Sequence, residues 1–126
     1  MRIMLAATAV FAAVPSANAL EGDAEAGAQV FKKCAVCHNI ESADKKVGPS
    51  LQGVIGRQPG TAAGFNYSKA MIAFGQGKIW NEDLLKTYLA NPREVVKGTR
   101  MAFPGLKKNE DIANVIAYVK QFSHTN

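Results

Sequence analysis

Histidine and cysteine are scarce in this chain, two of each among 126 residues. Two cysteines allow at most one disulfide. With His124 as the only other candidate ligand, a four-ligand zinc site is barely within reach. Past the N-terminal leader no apolar run approaches membrane length, which takes ~20 residues. The chain has no internal repeat and no low-complexity tract, and no stretch alternates convincingly as a strand would. Aromatic residues are not interleaved with basic ones, which argues against a nucleic-acid partner.

What is present begins with a leader. Residues 1–19 hold one basic side chain, Arg2, then an apolar run from Ile3 to Val14, then Pro15 and small residues ending Ala17-Asn18-Ala19. That layout predicts a secretory signal peptide cleaved after Ala19 and an exported, periplasmic product. Residues 20–126 are left as one domain of 107 residues (126 − 19), large enough for a modest core. The net charge of +5 becomes +4 when Arg2 leaves. Lys33, Lys46, Lys97, Lys107 and Lys108 suggest a basic face for acidic partners.

The expected fold class is all-α. "DAEAGAQVFKKC" predicts a helix capped by Asp23, with Gly27 on the face shared by Ala26, Val30 and Phe31. A short helix is expected from Ser68 to Gly75. "NEDLLKTYLANP" predicts a helix capped by Asn81 and ended by Asn91-Pro92, and "NEDIANVIAYVKQF" one capped by Asn109. Between them run long glycine-rich loops too poor in apolar residues to hold themselves in place. Something else must fill the centre.

The stretch "FKKCAVCHNI" supplies it. Cys34 and Cys37 lie three apart, so one helical turn presents both thiols together, and His38 follows directly. The spacing reads as c-type haem attachment, with two thioethers and one iron ligand from the same side. A disulfide between Cys34 and Cys37 would close a very small loop, and zinc lacks ligands. For the sixth iron position the candidates are Met71, which sits in the apolar run Ala70–Phe74 and suits core filling, and Met101, which lies in the non-periodic "KGTRMAFPGL". His/Met ligation raises the potential of a c-type haem.

Over roughly residues 21–122 the sequence resembles the class I c-type cytochromes, most of all the cytochrome c2 branch. The motifs "CAVCH", "GPSLQGVIGRQPG", "GFNYS", "IWNEDLLKTYLANP" and "GTRMAFPGLK" come in that family's order. The resemblance implies a small cytochrome c fold, with N- and C-terminal helices crossing through Gly27, Phe31, Val115 and Tyr118, and loops around one covalent haem c. It implies His38 and Met101 as axial ligands and the Pro49 carbonyl as acceptor for the His38 imidazole. It also implies Arg57, Tyr67, Trp80 and Thr99 as donors to the haem propionates, Tyr88 and Leu89 packed near the methionine ligand, and Phe103 by the exposed haem edge. Val95 and Lys97 stand where the family has an aromatic and a proline, and Met71 stands where mitochondrial members have an asparagine.

The function so implied is that of a monomeric, soluble one-electron carrier, not an enzyme. It would pass electrons from a cytochrome bc complex to a photosynthetic reaction centre or terminal oxidase, meeting the membrane only through those partners. The rival reading is a haem peroxidase or gas sensor, which would need a displaceable distal ligand.

Overall fold

The computed structural model describes residues 22–123 together with residues 9, 10 and 12. The rest of the expected leader, its cleavage point and His124 lie outside the described residues. The described chain is all-helical, without a strand, and its helices are α1 (Ala24–Ala35), α2 (Lys69–Phe74), α3 (Glu82–Ala90), α4 (Pro92–Val95) and α5 (Asn109–Lys120). Among the described residues no helix is long and apolar enough to cross a membrane.

Local chemistry sets the helix ends. The Asp23 carboxylate accepts from the Glu25 and Ala26 amides at 2.9 and 3.2 Å, the Ser68 hydroxyl from Met71 at 3.0 Å, and the Asn81 side chain from Leu84 at 2.8 Å. Each satisfies donors that the first turn of a helix leaves open. The fourth expected cap is corrected. Lys108, extended at φ −98°, ψ 126°, is the N-cap of α5 and makes no side-chain cap, while Asn109 is already helical. The Lys108 carbonyl accepts from Ile112 at 3.2 Å, so the helix begins one residue before Asn109 could serve. Glu110 and Asp111 in the first turn favour the positive end of the helix dipole instead. Asn91 does end α3. Pro92, which has no N–H to lose at a first helical position, then starts the extra turn α4.

The first and last helices pack together. A Cβ at Gly27 would collide with the Asn114 carbonyl and the Tyr118 Cβ, so only glycine lets the two backbones come this close. Phe31 stacks on Tyr118 with ring centroids 5.2 Å apart, and the Asp23 amide donates to the Asn114 side chain at 2.8 Å. Ile112, Val115, Ile116 and Val119 are buried on this face of α5. Burying side chains of this size contributes roughly 1.5–3 kcal/mol each, before the entropy of ordering them. Helix α3 leans on α5 as well, with a surface ion pair between Glu82 and Lys120 at 2.5 Å. Helix α2, by contrast, approaches no other helix. It is carried on loops, as is the irregular segment 39–66. The end of the chain pins that segment: Gly53 donates to the Phe122 carbonyl at 2.9 Å and Ile55 to the Ser123 hydroxyl at 3.1 Å.

Candidate functional site

The turn after α1 keeps the C-x-x-C-H residues together. The Cys34 carbonyl accepts from the Cys37 amide at 3.0 Å and from the His38 amide at 2.9 Å. Both thiols are free and half-buried. Burial pushes the Cys34 thiol above its ordinary pKa, against the opposing pull of Lys33. The Lys46 ammonium donates to the Ala35 carbonyl at 2.7 Å, an interaction that satisfies an open carbonyl at the end of α1.

His38 Nδ1 lies 2.7 Å from the Pro49 carbonyl oxygen. A carbonyl cannot donate, so Nδ1 carries the proton and Nε2 is left with a free lone pair. Burial, the largest cause, lowers the His38 pKa, and Arg57 and Lys46 add to the effect against the Pro49 hydrogen bond. The imidazole is thus oriented and held neutral, the form in which histidine binds metals. Gly48 lies against the ring, where a Cβ would meet the imidazole carbon Cε1 at 2.5 Å; its amide donates to the Cys37 carbonyl at 2.8 Å.

Met101 sits in the segment between α4 and α5. Its amide donates to the Thr99 hydroxyl at 3.2 Å, and its sulfur accepts from the Tyr88 hydroxyl at 3.2 Å. Burial drives the Tyr88 phenol up to about 12, although Thr99 hydrogen-bonds to it. Thr99, Tyr88 and Met101 therefore form one cluster.

The other expected residues gather around Trp80. The Gly56 amide donates to the Trp80 carbonyl at 2.8 Å, and the Trp80 amide to the Arg57 carbonyl at 2.9 Å. Trp80 is 6% exposed, and its ring lies 4.9 Å from that of Tyr88. Tyr67 accepts from the Ala62 amide at 3.1 Å. It is close enough to Arg57 to act on its charge, which burial makes harder to keep. Arg57 donates to the Ser50 carbonyl at 2.9 Å and the Gln52 carbonyl at 3.2 Å, yet its Nε–H is buried and finds no partner among the described residues. A buried N–H left unpaired is costly unless an acceptor is supplied. An anionic group brought in from outside would supply it, and haem carries two carboxylates. The residues present therefore fit a haem: two adjacent thiols for its vinyls, an oriented imidazole, a tethered thioether and a donor short of one anion.

Sequence reasoning missed three features here. The tie between Tyr88 and Met101 went unseen although both residues had been placed near one another. The Lys46 and Arg93 side chains bond backbone carbonyls, at Ala35 and Ala102. Carbonyls leave no mark in a sequence, so no signal could have revealed them. Of the expected basic residues, Lys33, Lys107 and Lys108 line one shallow groove with Phe103 and Asp111.

An all-helical chain with two thiols on one turn, an oriented imidazole and a tethered thioether has the makings of a haem carrier. A family model described as cytochrome c matches residues 24–123. A cytochrome c of Guizotia abyssinica is 47% identical over 106 residues, covering 82% of this chain and 94% of its own. Cytochrome c-554 of Methylosinus trichosporium is 42% identical over 121 residues, 95% of this chain and 90% of its own. The solved structure of cytochrome cH from Methylobacterium extorquens superposes with a TM-score of 0.74 at 40% identity, covering 79% of this chain and 99% of that one. The chain belongs to the cytochrome c family, whose members carry covalently attached haem c, typically one per chain. It is an electron-transfer protein, not an enzyme.

Proposed function

We propose that this chain is a periplasmic one-electron carrier in which His38 and Met101 are the axial ligands of the haem iron and Cys34 and Cys37 its covalent anchors. The two thiols would hold the haem through its vinyl groups as thioethers. The haem supplies a reversible ferric/ferrous couple. The chain does the rest. Pro49 aims the His38 lone pair, and Tyr88 holds the Met101 sulfur and tempers its donor strength. Arg57, Tyr67, Trp80 and Thr99 would hold the propionate carboxylates, and the buried aromatic wall of Trp80 and Tyr88 would keep water away. Lys33, Lys107 and Lys108 steer acidic docking faces to the edge beside Phe103. Those partners are a cytochrome bc complex as donor and a reaction centre or terminal oxidase as acceptor, reached after export directed by residues 1–19.

The supporting observation is the matched tethering of two ligand side chains, His38 Nδ1 to the Pro49 carbonyl at 2.7 Å and the Met101 sulfur to the Tyr88 hydroxyl at 3.2 Å. The test is Met101→Ala in the haem-loaded protein. The ferric wild type is expected to show the weak red charge-transfer band of a sulfur–iron bond, and the variant to lose it and bind carbon monoxide readily when reduced. Wild type that binds carbon monoxide as fast as the variant would return the protein to the sensor or peroxidase reading. Haem staining of periplasmic fractions, with and without residues 1–19 in the gene, tests export.

A further inference from the structure

The segment that carries Met101 is hinged at both ends by glycine. Gly98 has φ +91° and Gly105 φ +107°, values that other residues rarely adopt. Thr99 is tied back by its amide to the Val96 carbonyl at 3.0 Å, and Leu106 by its amide to the Leu89 carbonyl at 2.8 Å. Between those ties the backbone of residues 100–104 is nearly unsupported. The Met101 amide bonds only within the loop, to Thr99. Among the described residues, one hydrogen bond joins this stretch of backbone to an element outside it. Arg93 Nη2, on α4, donates to the Ala102 carbonyl at 2.6 Å. Two side-chain ties remain, Tyr88 to the Met101 sulfur and a stretched contact from Arg100 to the Asn66 carbonyl at 3.5 Å.

We infer that Arg93 is a positioning residue, the latch that keeps the Met101 loop closed. The inference rests on the reading of Met101 as an axial ligand. Pro92 fixes the start of α4, and the Pro92 carbonyl accepts from the Val96 amide at 2.9 Å, so the arginine projects from a braced turn. Its target is the carbonyl next to Met101. When the latch is made, the loop can leave only by breaking a charge-assisted hydrogen bond. When it is absent, residues 100–104 are free to swing between the two ties and would carry the sulfur off the iron. The guanidinium is exposed at the surface, so a docking partner with a carboxylate in reach competes for it directly, and the grip of the sixth ligand then responds to docking.

The test uses the haem-loaded full chain and follows imidazole displacing the native sixth ligand of the ferric form, read as loss of the red charge-transfer band. Arg93→Gln is expected to speed displacement about five- to tenfold, the scale of one charge-assisted hydrogen bond near solvent. Arg93→Lys restores part of the wild-type rate. Lys69→Gln, at the exposed start of α2, removes the same charge without touching the latch and is expected to match wild type. Imidazole is neutral, so loss of charge alone has little hold on its entry. Far-UV circular dichroism checks that helix content is unchanged, and exchange of the Ala102 and Phe103 amides should quicken in Arg93→Gln. Equal displacement rates in wild type and Arg93→Gln, with the band abolished by Met101→Ala, would overturn the latch alone. A band that survives Met101→Ala would overturn the ligand reading and the latch with it. Acceleration by Lys69→Gln equal to that of Arg93→Gln would show a charge effect and also overturn the latch.

Discussion

The Tyr88 hydroxyl donates to the Met101 sulfur at 3.2 Å, across 13 positions of sequence. A helix thereby holds a loop by a side-chain sulfur. Tyr88→Phe removes that donor while keeping the ring against Trp80. It is expected to cost about 1 kcal/mol of stability and to shift the reduction potential, measured by redox titration. Its pH dependence is the sharper check. The folded protein holds the Tyr88 proton more tightly than the unfolded chain, about 12 against 10.0. The resulting stabilisation is complete below about pH 10 and is lost as pH rises towards about 12. Denaturant midpoints of wild type and Tyr88→Phe should therefore converge through that window. A constant difference would contradict the assignment.

Arg57 offers the next test. Its Nε–H lacks a partner among the described residues, and a positive charge near the iron favours the reduced state. Arg57→Gln should lower the potential by on the order of tens of millivolts. An unchanged midpoint would place the guanidinium too far from the redox centre to matter.

Gly27→Ala probes the helix pair without touching the site. The added methyl would overlap the Asn114 carbonyl, backbone that cannot step aside. A loss of about 1–3 kcal/mol is expected, seen as a lower denaturant midpoint with the visible spectrum of the surviving folded protein unchanged.

The basic groove predicts a pattern of rates. Charge reversal at Lys33 or Lys107, which line it, should slow electron transfer to an acidic partner more than reversal at Lys69, which begins α2. Steering of this kind is worth roughly tenfold to a thousandfold and fades as salt rises. Lys120 is a poor control, because it pairs with Glu82. Stopped-flow rates across an ionic-strength series decide the matter; equal losses at all three lysines would leave only a net-charge effect.

Much of this molecule was legible from residues alone because its signals are local. Asp23, Ser68 and Asn81 announce helix starts through side chains that reach their own first turn. Cys34, Cys37 and His38 stand out by spacing, and the turn after α1 holds them together. The glycine at position 27 signalled a close approach, and α5 supplies it. Asn109 misled because cap residues are read from type, whereas the actual cap is set by which residue is extended, and that is Lys108. The pairing of Gly56 and Arg57 with Trp80 was hidden because backbone bonds between distant loops have no compositional trace. So was the grip of Arg93 on Ala102.

Among the described helices, the two that pack most closely are the first and the last. A chain made or threaded from its N-terminus presents α1 and both thiols long before the 12 residues of α5 exist to cover it. Contacts this distant in sequence close late, since loop entropy must be overcome first. There is thus an interval in every molecule's life when α1 stands without its partner helix. Docking of α5 at Gly27 and Phe31 ends that interval, so the order of the helices along the chain sets when the fold can close.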